Sequence, residues 1–359
     1  MDAGLSAKIS VTNNSIKSTL KSLSDNQAGK ACLFNLIIYT CEPRRTDYFA
    51  EMVKIIKGQF PCRIIFIQGN PLGKSHSLRI TTYKEDATEN EKLNTNQIYI
   101  EASGPEFNRV YFLLLPLLAS DLPIYLLWGQ NPTTEYTLLP RLESFASRLI
   151  FDAETAADLQ QFSREMLVRL NSSSMQISDM NWARIAGWRE VFAQIFDSAE
   201  RFEQLTHVHQ ISIICNDNPS ELFVPPNIQA LYFQSWLAAR LNWQFLRIEH
   251  ACDTQTLYYE NKQIIRKIVL SHKTDVNFER EEILRFEIQG ENGYECAIER
   301  LNAKQINVRA SNQNQCELPL LFLIPSLRSA RSFMQEIFYQ KTSDHYAQML
   351  RGLCAVAVD

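Results

Sequence analysis

The sequence predicts a two-domain α/β protein. The first domain is a mainly parallel or mixed sheet with flanking helices. The second is α+β, an antiparallel meander covered by helices. Three observations carry this. Continuous apolar runs alternate with helical spacings from residue 32 to 170, the signature of a layered parallel sheet. After residue 254 the hydrophobicity switches to period two, as in half-buried antiparallel strands. At 359 residues the chain is long enough for two domains of ~100–200 residues. Asn171-Ser172-Ser173-Ser174 reads as the linker, giving domains 1–172 and 173–359.

In chain order, Cys32 to Tyr39 is an apolar run between Gly29 and Pro43, so it reads as a strand buried on both faces. Thr46 to Lys57 places Phe49, Met52, Val53 and Ile56 on one helical face. Arg63–Gln68, Ser77–Tyr83 and Gln97–Glu101 read as strands, with a polar stretch before the last. Pro105 opens a helix to about Leu118, and Leu122–Trp128 is another strand. A short helix at Leu138–Ala146, a strand at Arg148–Phe151 and a helix from about Glu154 to Leu170 complete the first domain. In the second, Asp179 or Ser178 caps a helix carrying Trp182, Ile185, Trp188, Phe192, Ile195 and Phe196 on one face. Leu205–Cys215 reads as a strand, and Ile228–Leu241 as a helix apolar almost all round, hence buried. Around Asn292-Gly293 a three-residue turn sets Phe286 opposite Ile298, Ile288 opposite Cys296 and Arg285 opposite Glu299, with Gly293 left-handed. Helices at about 326–340 and 343–353 are expected to cover this sheet.

Composition narrows the function. The chain is 45% hydrophobic and 21% charged with net charge −4, ordinary for a globular protein. No basic stripe marks a nucleic-acid partner; Arg44-Arg45 and the cluster from Arg328 to Arg331 read as solvated helix ends. The longest apolar run, Leu113 to Ala119, is broken by Pro116 and falls short of the ~20 residues of a membrane span. With no apolar h-region in the first 30 residues, a cytoplasmic location is expected. Eight dispersed cysteines without C-x-x-C argue against a disulfide framework or a zinc site. Eleven glycines leave few for phosphate loops.

No spacing identifies catalytic chemistry. Gly69-Asn70-Pro71-Leu72-Gly73-Lys74-Ser75 has three residues between its glycines where a P-loop needs four, and a strand rather than a helix follows. His207-Val208-His209 supplies two imidazoles but no third ligand at recognisable spacing. The expectation is no catalytic residue, no cofactor and no metal.

The run Asp179-Met180-Asn181-Trp182-Ala183-Arg184-Ile185-Ala186-Gly187-Trp188-Arg189-Glu190 spends two of five tryptophans on one helix. Both rings fall on its apolar face, where core packing is the ordinary role. Arg184 and Arg189 lie off that face, and Trp beside Arg is the composition of a binding hot spot. Arg184, Arg189, Asn181, Trp182 and Trp188 are therefore candidate partner-binding residues.

These residues resemble the glucose-6-phosphate dehydrogenase assembly proteins, the OpcA family. The run above is similar to that family's D-L-N-W-x-R-L-x-x-W-R-E segment. The helix from Ala230 to Trp243 resembles W-L-A-x-R-L-G-W, with Asn242 at the usual glycine. Ser120 to Trp128 resembles P-D-L-P-V-x-L-W-W. All five tryptophans lie in these matches, and the resemblance covers roughly residues 30–245. It implies a non-catalytic protein that binds glucose-6-phosphate dehydrogenase and favours its active oligomer in the oxidative pentose phosphate pathway. The competing class is a sugar-phosphate- or nucleotide-binding enzyme with its site at the carboxyl edge of a sheet.

Overall fold

The computed structural model describes residues 7–11, 32–57, 59–84, 97–119, 121–134, 137–172, 175–219, 226–302, 304–323, 334 and 337–356. The chain divides into two compact units, Met1–Asp152 with Ser174–Ser178, and Ala153–Ser173 with Asp179–Asp359. The helix read from sequence as the end of the first domain thus falls in the second unit, so this division differs from a boundary at 172/173. The reason is packing: α2 (Leu159–Ser172) lies against α7 (Asp344–Ala355), and Gln160 Nε2 donates to the Cys354 carbonyl at 2.8 Å.

The first unit is built on an eight-stranded sheet in the order β1-β4-β5-β3-β2-β6-β7-β8. Its strands are β1 (Ala7–Val11), β2 (Phe34–Thr40), β3 (Cys62–Asn70), β4 (Ser77–Lys84), β5 (Gln97–Ser103), β6 (Ile124–Trp128), β7 (Arg148–Phe151) and β8 (Gln176–Asp179). β5, β3, β2, β6 and β7 run parallel, while β4 and β1 add antiparallel strands at one edge. The first two parallel strands lie side by side at the centre. β2 is buried at all seven positions, which is why it reads as an unbroken apolar run. Its one amide side chain, Asn35, receives the Ala119 N–H at 2.7 Å and donates to the Ala119 carbonyl at 3.0 Å, tying down the approach to β6. α1 (Pro43–Lys57) buries Phe49, Met52, Val53 and Ile56 as the spacing predicts. It also buries Arg45, which corrects the reading of Arg44-Arg45 as a solvated pair: only Arg44 is exposed. The helix expected from Pro105 is broken into a 3-10 turn (Gly104–Arg109), one α turn (Val110–Leu114) and a second 3-10 turn at Pro116, which cannot donate to a continuing helix.

The second unit carries a mixed eight-stranded sheet in the order β10-β11-β12-β9-β13-β14-β15-β16. Its strands are β9 (Val208–Asn216), β10 (Gln244–Ala251), β11 (Thr254–Asn261), β12 (Ile264–Lys273), β13 (Ile283–Gly290), β14 (Glu295–Arg300), β15 (Gln305–Ser311) and β16 (Leu320–Leu323). Every pairing is antiparallel except β9 with β12. The hairpin register is as expected, with Phe286 opposite Ile298, Ile288 opposite Cys296 and Arg285 opposite Glu299, and Gly293 has φ +65°. Asn292 joins it in the left-handed region at φ 55°.

Helices α3 (Met180–Arg184), α4 (Ala186–Ile195), α5 (Ala199–Thr206) and α6 (Ile228–Arg240) precede or flank β9. Leu205 belongs to α5 rather than to the strand read from sequence. The tryptophan segment is two helices, because Ile185 (φ −89°, ψ 2°) interrupts the α geometry. α6 buries ten of its residues, Ile228 to Ser235 and Leu237 to Ala238. α7 packs on α6 and α2. The Ser235 hydroxyl donates to the Met349 carbonyl at 2.7 Å, and Gly352 faces Ser235 where a Cβ would lie 2.2 Å from its oxygen. The expected helix at 326–340 falls mostly outside the described residues.

Candidate functional site

The tryptophan segment starts from its cap. Asp179 Oδ1 accepts the Asn181 N–H at 2.8 Å, the reason α3 begins there. The other carboxylate oxygen accepts the hydroxyls of Tyr232 at 2.6 Å and Tyr346 at 3.0 Å, so one buried acid joins α3, α6 and α7. Burial first, and the adjacent carboxylate second, hold the Tyr346 phenol well above its ordinary pKa, so it stays a donor.

Around this cap the candidate partner residues turn inward. Asn181, Trp182 and Trp188 are buried, at 0%, 7% and 1% exposure. Trp188 meets Phe286 edge-on at 4.9 Å, and Phe286 also contacts Phe192 and Phe233, so the ring lies in the main core of the unit. The Arg189 guanidinium lies 3.4 Å from the Trp182 ring centroid and donates to the Trp182 carbonyl at 3.2 Å. Arg184 donates to Asn181 Oδ1 at 3.0 Å and pairs with Glu154 Oε1 at 3.1 Å, with side chains 15% and 10% exposed. Both arginines, read from sequence as lying off the apolar face, thus make internal contacts. The segment fastens helices and presents no nucleophile or acid–base pair to solvent.

A cavity of about 490 Å³ opens beside it in the same unit, between α4, α5 and α6. Phe192, Phe196, Phe202, Leu205, Trp236 and Leu237 line it, and Asp197 and Arg240 stand at it. Sequence reasoning passed over Trp236 and Arg240. The available signal was their four-residue spacing, which puts a ring and a cation on one face of an otherwise apolar helix.

In the first unit the place to examine is the carboxyl ends of the parallel strands, where doubly wound sheets bind ligands at the switch in strand order. Here the switch lies between β2 and β6. Tyr39 at the end of β2 stacks on Trp128 at the end of β6, 4.2 Å between ring centroids, and packs on Phe107 at 5.8 Å. All three are at most 2% exposed. Gly69, at the end of β3, accommodates these rings, since a Cβ there would lie 2.6 Å from Phe107; Gly129, after β6, accommodates Phe49, 2.4 Å from where its Cβ would lie. The β2–α1 turn reads Cys41-Glu42-Pro43. Just inside the helix, Arg45 Nη1 meets Asp152 Oδ2 at 3.0 Å, the side chains 3% and 0% exposed.

Remaining candidates resolve to structure. The Gly69–Ser75 loop leads into β4, a strand, so no helix N-terminus completes an anion site. Among the described residues no three of His, Cys, Asp and Glu cluster as metal ligands, and the described cysteines are free thiols. Cys62, Cys215 and Cys296 are buried, and burial raises each thiol pKa, Cys296 to about 11, which makes them poor nucleophiles. No helix among the described residues is long and apolar enough to cross a membrane.

In fold the chain is similar to solved oxidoreductases. The chain is similar to an NAD-binding oxidoreductase from Klebsiella pneumoniae (TM-score 0.54, 9% identity, 91% of this chain and 96% of that one). It is also similar to KijD10, a 3-ketoreductase from Actinomadura kijaniata solved with TDP-benzene and NADP (TM-score 0.50, 10% identity, 89% and 94%). At such identity the likeness shows fold alone. Two family models then match in sequence, the glucose-6-phosphate dehydrogenase subunit N-terminal domain over residues 53–167 and its C-terminal domain over residues 175–351. The chain belongs to the OpcA family of glucose-6-phosphate dehydrogenase assembly subunits. Relatives named OxPP cycle protein OpcA are 28% identical over 186 residues in a Synechocystis species and 29% over 200 residues in Synechococcus elongatus. These matches take in 51% and 54% of this chain, and 38% and 43% of the relatives.

The fold neighbours imply a dinucleotide, and the residues here do not fit one. A pyrophosphate needs close backbone approach and free N–H donors at the first helix. Pro43 removes one donor, Glu42 puts a carboxylate beside the turn, and no glycine opens it. Rings fill the volume above the strand ends.

Proposed function

We propose that this chain is a non-catalytic subunit that binds glucose-6-phosphate dehydrogenase and favours its active oligomer, so raising flux into the oxidative pentose phosphate pathway. The observation that carries the reading is the match of both units to the two domains of a dehydrogenase-associated family. Two features support it. The dehydrogenase-type crevice is filled by Tyr39, Trp128 and Phe107, and the tryptophan segment is committed to holding helices together. The chain then acts through binding alone. A ligand that prefers the assembled enzyme shifts its population toward that form, and a ~100-fold preference corresponds to ~2.7 kcal/mol.

The test is kinetic. Purified dehydrogenase is assayed at a subunit concentration below the dissociation constant of its own oligomer, with and without equimolar chain. A rise in activity that saturates with added chain, and no turnover by the chain alone, is expected. An unchanged rate across the titration overturns the reading. Hydride transfer by the isolated chain, lost on a point substitution at the strand ends, would favour the enzyme alternative.

A further inference from the structure

Four of the five tryptophans are buried at 7% exposure or less: Trp128, Trp182, Trp188 and Trp243. Trp236 is only half-buried. Its indole lines the 490 Å³ cavity together with Phe192, Phe196 and Phe202, and Phe202 is 49% exposed. A volume of this size lies within the ~300–1,000 Å³ of binding pockets. One turn further along α6 stands exposed Arg240. Its guanidinium touches the His345 ring at 3.2 Å, and no carboxylate among the described residues lies within ion-pair distance of it. Asp197, exposed on the same lining, likewise meets no cation among them. Elsewhere on the unit's surface arginines do find acids: Arg247 with Glu249, Arg285 with Glu287, Arg309 with Glu299. The cavity therefore combines an apolar aromatic floor with two charges that form no ion pair among the described residues, and it joins Trp to Arg at its mouth, both types enriched in interface hot spots.

We propose that this cavity is the docking site for glucose-6-phosphate dehydrogenase. It takes an apolar segment of the enzyme, with a carboxylate beside it that pairs with Arg240 and a basic group that meets Asp197. The proposal rests on the partner reading above and gives it a location. Docking removes the Trp236 and Phe202 rings from water, which supplies affinity. The two rim charges, opposite in sign, fix the orientation of the segment and reject one of reversed polarity.

The experiment titrates the chain into purified dehydrogenase by biolayer interferometry, with thermal melts on every variant. Arg240→Glu reverses the rim charge at an exposed position. Ala193→Trp, also exposed, fills the mouth; Ala193→Glu serves at the same place if the indole does not fold. Each is expected to weaken binding about tenfold or more while the melting temperature stays at the wild-type value. Wild-type binding with either variant within twofold of it overturns the docking site and leaves the partner reading standing. No binding by wild type overturns both. Sedimentation of the chain alone adds a further check: a self-associated chain that Ala193→Trp dissociates, with dehydrogenase binding intact, assigns the cavity to a second copy and also overturns the proposal.

Discussion

Two tryptophan–arginine pairs in the second unit share a composition and have opposite environments. Arg189 lies on the face of Trp182, 3.4 Å from its centroid, and its donor is taken by the Trp182 carbonyl. Arg240, four residues after Trp236, stands exposed at a cavity and forms no ion pair among the described residues. The difference lies in what the surroundings leave over. Asp179 gathers α3, α6 and α7 around the first pair, so its ring and cation are used up in joining helices. Around the second pair, α4 and α5 stop short and leave aromatic surface open. Hot-spot composition is a necessary sign of a contact surface; what decides is whether the chain itself already supplies the partner.

The largest expected effect tests the interior side of this comparison. Trp188→Ala removes a 1%-exposed ring from the Phe192–Phe233–Phe286 cluster and should cost about 3–5 kcal/mol, read as a lower urea midpoint at unchanged slope. An interior arginine should behave similarly. Arg45→Ala leaves the Asp152 carboxylate buried, and stability should fall by about 3–5 kcal/mol. The double variant Arg45→Met with Asp152→Leu should recover most of that loss, because the buried charge, rather than the missing bond, carries the cost.

A buried acid with fewer donors sharpens the contrast with Asp179. Glu281 is 1% exposed and accepts the Asn227 N–H at 2.6 Å, with Arg280 at 3.6 Å and Asp217 nearby. Burial pushes its pKa up to about 7, above the ordinary 4.5. The folded state therefore holds a proton that the unfolded state has released between these values, so this contribution to stability is present below pH 4.5 and is lost as pH rises through 7. At ~1.4 kcal/mol per unit, wild type should lose on the order of 3 kcal/mol more than Glu281→Gln between pH 4.5 and pH 8, measured by chemical denaturation at each pH. The smallest effect compares the two arginines directly. Arg189→Ala forfeits a desolvated cation–π contact worth about 2 kcal/mol, whereas Arg240→Ala should stay within about 0.5 kcal/mol of wild type. Equal melting shifts for the two would erase the distinction.

Much of this was legible from residues, for identifiable reasons. β2 and β3 read as unbroken apolar runs because a parallel sheet covers both faces, and the Gly293 hairpin read correctly because only one register keeps Phe286 and Ile298 on the same side. Strand β10 was missed because a register shift between Phe245 and Arg247 breaks the period-two pattern there. α5 was missed because Leu205 stands next to a strand whose apolar pattern absorbs it. Asn242 stands where the family resemblance expects glycine and adopts φ 54°, a left-handed helix end that asparagine tolerates better than most residues. At the site, the burial of Trp182 and Trp188 followed from spacing, but the partners of the arginines did not. Arg184 meets Glu154, thirty residues earlier, and Arg45 meets Asp152, more than a hundred residues later. No periodicity reports such pairs. Arg45 did leave a trace, since it lies four residues before Phe49 on the face that α1 buries.

Binding of this chain to the dehydrogenase, as proposed, is read by light scattering coupled to size exclusion. Dehydrogenase is run alone, with wild-type chain, and with Arg240→Glu. A heavier species containing both proteins is expected with wild-type chain, and its loss with Arg240→Glu. Separate elution of dehydrogenase and wild-type chain at their individual masses would contradict the proposal.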